Sequence, residues 1–149
     1  MQDEHNKLRQ QVTQAKLDKK QYGDLQGTNS MFAVTYDCTN DALANALITS
    51  DCKRSDVNVA LMGRSANFHE TRVRLDESNV QQLEDEFQFA FEEWRDSVSK
   101  PLNKDVVYND VSIAPFANMI YYKTASLGCA YTYCKDKKKI AIACVYGDE

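Results

Sequence analysis

Five cysteines punctuate the chain, at positions 38, 52, 129, 134 and 144, and three of them fall at or beyond position 129. Two β-type runs, 127–134 and 139–146, flank the polar tetrad Lys135-Asp136-Lys137-Lys138. If those four residues close an antiparallel hairpin, Cys134 stands opposite Lys139, and counting outward puts Cys129 directly opposite Cys144. Opposed residues in such a pair have Cα atoms roughly 4.5–5.5 Å apart, within reach of a disulfide. Cys134 lies five residues from Cys129, so the two-residue strand period turns it to the other face, free to tie the sheet to another element. Cys52, at the end of an expected helix, is the natural candidate. A Cys52–Cys134 bridge would close a loop of roughly 80 residues, worth on the order of 4 kcal/mol in the chain-entropy model. Cys38 is left without an obvious partner. Thiols can also serve as small apolar core residues in a reducing compartment, but this clustering favours bridges and an oxidising one.

The chain has 149 residues, 43% of them hydrophobic, which suits one compact domain over 1–149. A net charge of −4 argues against a nucleic-acid binder, which needs a concentrated basic face. No apolar run approaches the roughly 20 residues that span a bilayer. No leader is read at the N-terminus, so the expectation is a mature form.

Residues 3–19 predict a surface helix with a modest stripe at Leu8, Val12 and Ala15. Residues 23–30 read as a loop. Thr39 or Asn40 caps a second helix with Ala42, Leu43, Ala46 and Leu47 on one side, ending near Cys52. The run 57–62 (VNVALM) predicts a short buried strand. The clearest element is a third helix, capped by Asp76 or Ser78 and ended by Pro101. Its Val80, Leu83, Phe87, Ala90, Phe91, Trp94 and Val98 recur at nearly 3.6-residue spacing, opposite the acidic Glu84, Asp85, Glu92, Glu93 and Asp96. The stretch 115–124 (PFANMIYYKT) fits either a short helix or a strand.

Catalytic chemistry finds little to stand on. Of the two histidines, His69 could pair with Glu70 as a base or serve as a lone ligand, but a single loop histidine makes neither site by itself. No cysteine has an adjacent base to lower its pKa, and no glycine-rich phosphate loop exists. The KDKKK turn (135–139) could touch anionic surfaces, though a solvated turn is its ordinary role. Tyr131 and Tyr133 share one face of their strand, so they are buried or exposed together.

Taken in order, several motifs form a pattern. His5-Asn6-Lys7-Leu8-Arg9 resembles the HNxxR opening of CAP domains, the superfamily of cysteine-rich secretory proteins, antigen 5 allergens and plant pathogenesis-related proteins. Tyr36-Asp37-Cys38, followed by a helix to Cys52, resembles its second helix. Phe116 to Thr124, then Leu127-Gly128-Cys129-Ala130, resembles its HFTQMVW…LGC signature, and Ala143-Cys144-Val145-Tyr146-Gly147 its closing VCNYGP strand. YDC and NMIYYKT are most like secreted venom-allergen-like proteins of parasitic nematodes. The resemblance implies an α+β fold, a three-layer α-β-α sandwich around a small central antiparallel sheet, cross-linked as above, in a secreted, extracellular protein. It also locates a tetrad of two His and two Glu that can hold a divalent metal in many relatives. Carried across, those positions fall at Asp56, Arg64, Ser97 and Pro115. None is the family's residue, and Arg64 and Pro115 cannot ligate a cation. The resemblance therefore implies a degenerate tetrad, with Arg64 placing a positive charge where the metal would sit.

These readings predict a secreted protein that is not an enzyme and has no cofactor. It would bind a host protein or cell-surface receptor, as an immunomodulatory or anti-haemostatic factor. The loops 23–30, 64–76 and 102–114, with Tyr121, Tyr122, His69 and Arg64, are the candidate contacts. The alternative is an extracellular carrier of a sterol or fatty acid in an apolar cleft between helices.

Overall fold

The computed structural model describes residues 1–55, 61–102 and 110–148. The expected strand at 57–62 and tetrad position Asp56 lie largely outside the described residues, as does most of the loop 102–114; Met62 itself is an exposed turn residue.

Helix α1 (Gln2–Thr13) is shorter than its polar sequence suggested. Ala15 takes a positive φ of 52° and stands exposed, and Asp18 caps a separate turn of helix, α2 (Lys19–Tyr22), by accepting from Lys20 N–H. α1 buries Leu8 and Val12 as expected, and with them two polar residues, His5 and Arg9.

Strand β1 (Thr35–Tyr36) leads into α3 (Cys38–Ala46). The cap is Asp37, whose carboxylate accepts from Thr39 and Asn40 N–H. Starting from that cap, the buried stripe is Asn40, Ala44 and Leu47, while Ala42 and Ala46 face solvent. The stripe differs from the apolar count because this helix packs closely. A Cβ on Gly128 would lie 2.1 Å from Asp41 N and 2.7 Å from Asp37 O, so only glycine lets α3 sit on the sheet there.

Strand β2 (Ser65–Arg72) occupies what the sequence presented as a loop. Helix α4 (Val80–Arg95) starts from Asn79, whose side chain accepts from Gln82 N–H. Asp76 instead forms the turn before it, accepting from Ser78. Ala90, Phe91 and Trp94 are buried, and Val98 follows them past the helix end. A 3₁₀ turn (Val111–Ile113) precedes α5 (Ala114–Ile120), which settles the ambiguous apolar stretch as a helix with Pro115 in its first turn. The hairpin β3 (Thr124–Cys134) and β4 (Lys139–Asp148) completes the chain.

The sheet order is β1-β3-β4-β2. The three long strands are antiparallel as expected; the two-residue β1 joins parallel to β3 at Ser126 and Leu127. The hairpin register puts Cys134 opposite Lys139 and Cys129 opposite Cys144, and Lys138 takes the left-handed conformation that closes the turn. Disulfides join Cys129 to Cys144 (Cα–Cα 4.1 Å) and Cys52 to Cys134 (Cα–Cα 6.1 Å), leaving Cys38 free and exposed.

β4 lies at the centre, and its alternation builds both cores. Ile140, Ile142, Cys144 and Tyr146 face Leu8, Phe91, Trp94, Phe116 and Met119, whereas Ala143 and Val145 face Ala44 and Leu47 of α3. The sheet is thereby covered on both faces, as an α-β-α sandwich requires.

Candidate functional site

Three of the buried polar residues, His5, Arg9 and Asn67, lie on the α1/α4/α5 side, whereas Asn40 lies on α3. His5 packs edge-on to Phe91 with ring centroids 5.2 Å apart. Its Nδ1 lies 2.9 Å from Met1 O and its Nε2 2.9 Å from Tyr146 Oη. The consistent assignment is Nδ1–H donating to the carbonyl and Nε2 accepting from the phenol. Burial depresses the His5 pKa to about 4 against its backbone hydrogen bond, so the ring is neutral at physiological pH. Tyr146 is fully buried, which raises its pKa well above the usual phenol value. Its Oη also accepts from Asn67 Nδ2 (3.1 Å). That amide donates to Pro115 O as well (2.9 Å) and accepts from Asn118 Nδ2 (2.9 Å). Asn67 was not singled out in the sequence. Its only signal was a polar residue one step from Phe68 in a run that looked like a loop.

Arg9 is 2% exposed and meets no carboxylate among the described residues; its guanidinium donates to four main-chain oxygens instead. Nε reaches Phe32 O (2.8 Å), Nη1 reaches Met119 O (3.1 Å) and Tyr121 O (2.9 Å), and Nη2 reaches Thr124 O (3.0 Å). Asn6 adds a reciprocal pair to Val34, Oδ1 accepting from its N–H and Nδ2 donating to its carbonyl. One helix face therefore fixes both the 31–34 segment and the turn from α5 into β3.

On that fixed backbone, Phe32 is 67% exposed, Tyr121 42% and Tyr122 48%. The two tyrosine rings meet edge to face at 5.3 Å, and Lys123 Nζ lies 5.8 Å from the Tyr122 centroid. Phe32 divides two surface hollows. One, of about 570 Å³, runs along α1 past Asn6, Gln10 and Thr13; the other, of about 500 Å³, is bounded by Tyr122, Lys123, Ala125 and Asp148. Tyr121 and Tyr122 thus share one exposed surface, and Phe32, which the sequence reading passed over, joins them.

The other candidates lie elsewhere. His69 is half-buried in β2, edge-on to Phe89 at 5.4 Å, with Nε2 lacking a hydrogen-bond partner among the described residues. Burial lowers its pKa, opposed by Glu93 and Glu70. Among the described tetrad positions, Arg64 does not meet Ser97 or Pro115. It follows the parity of Ala66 and Phe68, so it turns to the α3 side, where Nε donates to Asn40 Oδ1 (2.7 Å). Ser97 and Pro115 sit on the opposite side. Ser97 Oγ donates to Trp94 O (2.9 Å) and accepts from Phe116 N–H (3.3 Å), and Pro115 offers only its carbonyl, already taken by Asn67. Arg64 and the pair Ser97 and Pro115 thus lie on different faces of the sheet. The described tetrad positions do not fit a divalent cation, since arginine and proline bring no ligand atom and the serine hydroxyl is engaged. Among the described residues, no three His, Cys, Asp or Glu side chains gather where they could hold a metal ion. The KDKKK turn is largely neutralised: Lys135, Lys137 and Lys139 face Glu77, Asp51 and Glu70 at 3.7, 3.3 and 2.8 Å.

A doubly cross-linked α-β-α sandwich, with a buried His and Arg on its first helix and a disulfide-locked terminal hairpin, defines a CAP-type domain. The chain belongs to the CAP family, the cysteine-rich secretory protein family, whose model matches residues 2–146. It is 25% identical over 150 residues to Ancylostoma secreted protein of Ancylostoma caninum, covering 97% of this chain but 32% of that protein. The chain therefore spans about a third of the length of this curated relative. Its fold is similar to that of Na-ASP-1 (TM-score 0.78, 22% identity, 97% of this chain and 34% of the other). It is also similar to NaASP2, solved with Zn2+ (TM-score 0.77, 18% identity, 98% and 76%). A more distant neighbour is a hookworm platelet inhibitor (TM-score 0.54, 19% identity, 100% and 69%).

Proposed function

We propose that this chain is a secreted, non-enzymatic interaction protein of a parasitic nematode, without a resident metal. It binds a host protein or cell-surface target in an immunomodulatory or anti-haemostatic role. The observation that carries this reading is the exposed ridge of Phe32, Tyr121 and Tyr122, held on a backbone clamped by Arg9. Aromatic side chains supply large rigid contact area at low entropy cost, and hollows on either side of a ridge accept a partner's own projections. The relative named a secreted protein and the fold neighbour named a platelet inhibitor support the setting. Two disulfides suit an extracellular environment, and no described helix is long and apolar enough to cross a membrane. Against catalysis, His5 is buried with both ring nitrogens engaged, and His69 meets no nucleophile among the described residues.

The test is capture from host plasma and from intact platelets and leukocytes, with the partner identified and its affinity measured. Replacing Phe32 and Tyr122 together by alanine should weaken binding by roughly two orders of magnitude, as central aromatic anchors do. Unchanged capture by that variant, or no specific partner, refutes the reading.

The carrier reading has one observation in its favour. A hollow of about 420 Å³ between α1 and α4 has Met1, Phe87 and Phe91 among its walls. Glu4 and Glu84 also line it, which disfavours a fatty-acid carboxylate and leaves a neutral sterol as the better fit. Mass spectrometry of solvent extracts of the purified protein decides this reading.

A further inference from the structure

The two edges of the sheet are finished differently. On the β2 edge, carbonyls that point outward are met by side chains: Trp94 Nε1 donates to Phe68 O (3.3 Å) and Asn118 Nδ2 to Ala66 O (3.4 Å). On the β3 edge the parity is set by Cys129 and Cys144. Their 4.1 Å Cα separation marks a non-hydrogen-bonded pair, so the N–H and C=O of Cys129 point away from β4, as do those of Tyr131 and Tyr133. The same parity lets Leu127 O accept from Asp37 N–H (2.9 Å) where β1 runs alongside. β1 stops at Tyr36 because Asp37 turns the chain into α3, and so it covers only Ser126 and Leu127. Past that point the outward groups at Cys129, Tyr131 and Tyr133 meet no backbone partner among the described residues, and all three residues are only partly buried. Such an edge is a template for strand addition.

We propose that this edge of β3 docks an extended, cationic peptide segment of a partner protein. The segment adds as a strand beside Cys129, Tyr131 and Tyr133 and places alternate side chains in the hollow between α1 and α4. That hollow opens along the edge: Cys129 lines it, with Phe87, Phe91 and the 51%-exposed Tyr36. Main-chain hydrogen bonds and pockets for alternate side chains are the two parts of strand-addition recognition. Charge selects the occupant. The side-chain charges lining the hollow are Glu4 and Glu84. Glu4 pairs with Lys7 at 2.7 Å, while Glu84 makes no ion pair among the described residues and is followed on α4 by Asp85. Lysine or arginine in the incoming strand answers Glu84. A second copy of this chain, itself at net charge −4, is the poorer match.

The experiment titrates the peptide Ac-Lys-Val-Lys-Val-Lys-Val-NH2 into the ¹⁵N-labelled full chain. Its glutamate counterpart and an analogue N-methylated at alternate residues are titrated alongside. The expected result is saturable binding of the lysine peptide, with amide exchange at Cys129, Tyr131 and Tyr133 slowed roughly tenfold or more. The N-methylated and glutamate peptides should bind about tenfold more weakly, and Glu84→Lys should reverse the preference between the charged peptides. No saturation at millimolar peptide, protection that maps elsewhere, or equal binding of the N-methylated analogue overturns the proposal. The readout does not depend on the aromatic ridge or on a host origin for the partner, so it can fail while the capture experiment succeeds, and the reverse.

Discussion

Acidification should destabilise this protein chiefly through one buried ring. His5 is 1% exposed, and both nitrogens are committed, Nδ1 to Met1 O and Nε2 to Tyr146 Oη. A second proton on Nε2 would face a phenol that already accepts from Asn67, and Tyr146 would have to turn its own hydrogen away from the one acceptor it has among the described residues. The native pKa is lowered to about 4, chiefly by burial, from the ordinary 6.5 of the unfolded chain. Between those values the unfolded state binds a proton that the native state refuses, so stability falls as pH falls through the window and is flat above it. The full difference is worth about 3 kcal/mol. At roughly 2 kcal/mol per M, the urea midpoint should drop by about 1.5 M between pH 7.5 and pH 4. His69, also depressed but only half-buried, contributes in the same direction with solvent screening. The His5→Gln variant isolates the effect, because glutamine can donate and accept without titrating. Urea unfolding followed by Trp94 fluorescence, at half-unit pH steps, should give a wild-type curve that steepens below pH 6.5 relative to the variant. Parallel curves for the two proteins across this window would refute the reasoning.

Arg9→Lys should cost about 3 kcal/mol or more, because a point ammonium cannot satisfy four carbonyls that become buried acceptors; thermal denaturation reports it as a large fall in Tm. Gly128→Ala should destabilise by at least about 2 kcal/mol, since the new methyl meets the backbone of Asp41 rather than a side chain that can swing aside; chemical denaturation and yield of folded protein measure it. Removing Cys52–Cys134, with a sequence separation of 82, should lower stability by about 4 kcal/mol. Removing Cys129–Cys144, with a separation of 15, should cost about 3 kcal/mol, so the two double-serine variants rank in that order on a urea titration.

What the sequence disclosed follows the range of the physics involved. The terminal hairpin was legible down to its register because a four-residue turn and opposed cysteines act locally. The third helix was legible because seven apolar residues keep its period. β2 was hidden because one face is wholly polar (Ser65, Asn67, His69, Thr71) and the other offers only Ala66 and Phe68 as apolar residues. Two of its outward carbonyls are satisfied by Trp94 and Asn118, far away in the chain. The partner of Arg64 was not legible because an alignment by motif does not reveal strand parity, which turns its side chain to Asn40. The His5–Tyr146–Asn67 chain could not be read at all: its members are 141 and 79 residues apart and look like ordinary polar positions until they meet. The ridge was half legible, its tyrosines standing out and Phe32 not.

The Arg9 clamp has a consequence for how such a surface can change. Peptide oxygens are the same whatever residue carries them, so the guanidinium grips positions 32, 119, 121 and 124 without regard to their identity. The platform and its ornament are thereby decoupled: residues 32, 121 and 122 can be rewritten, one partner traded for another, while the mount beneath them keeps its shape.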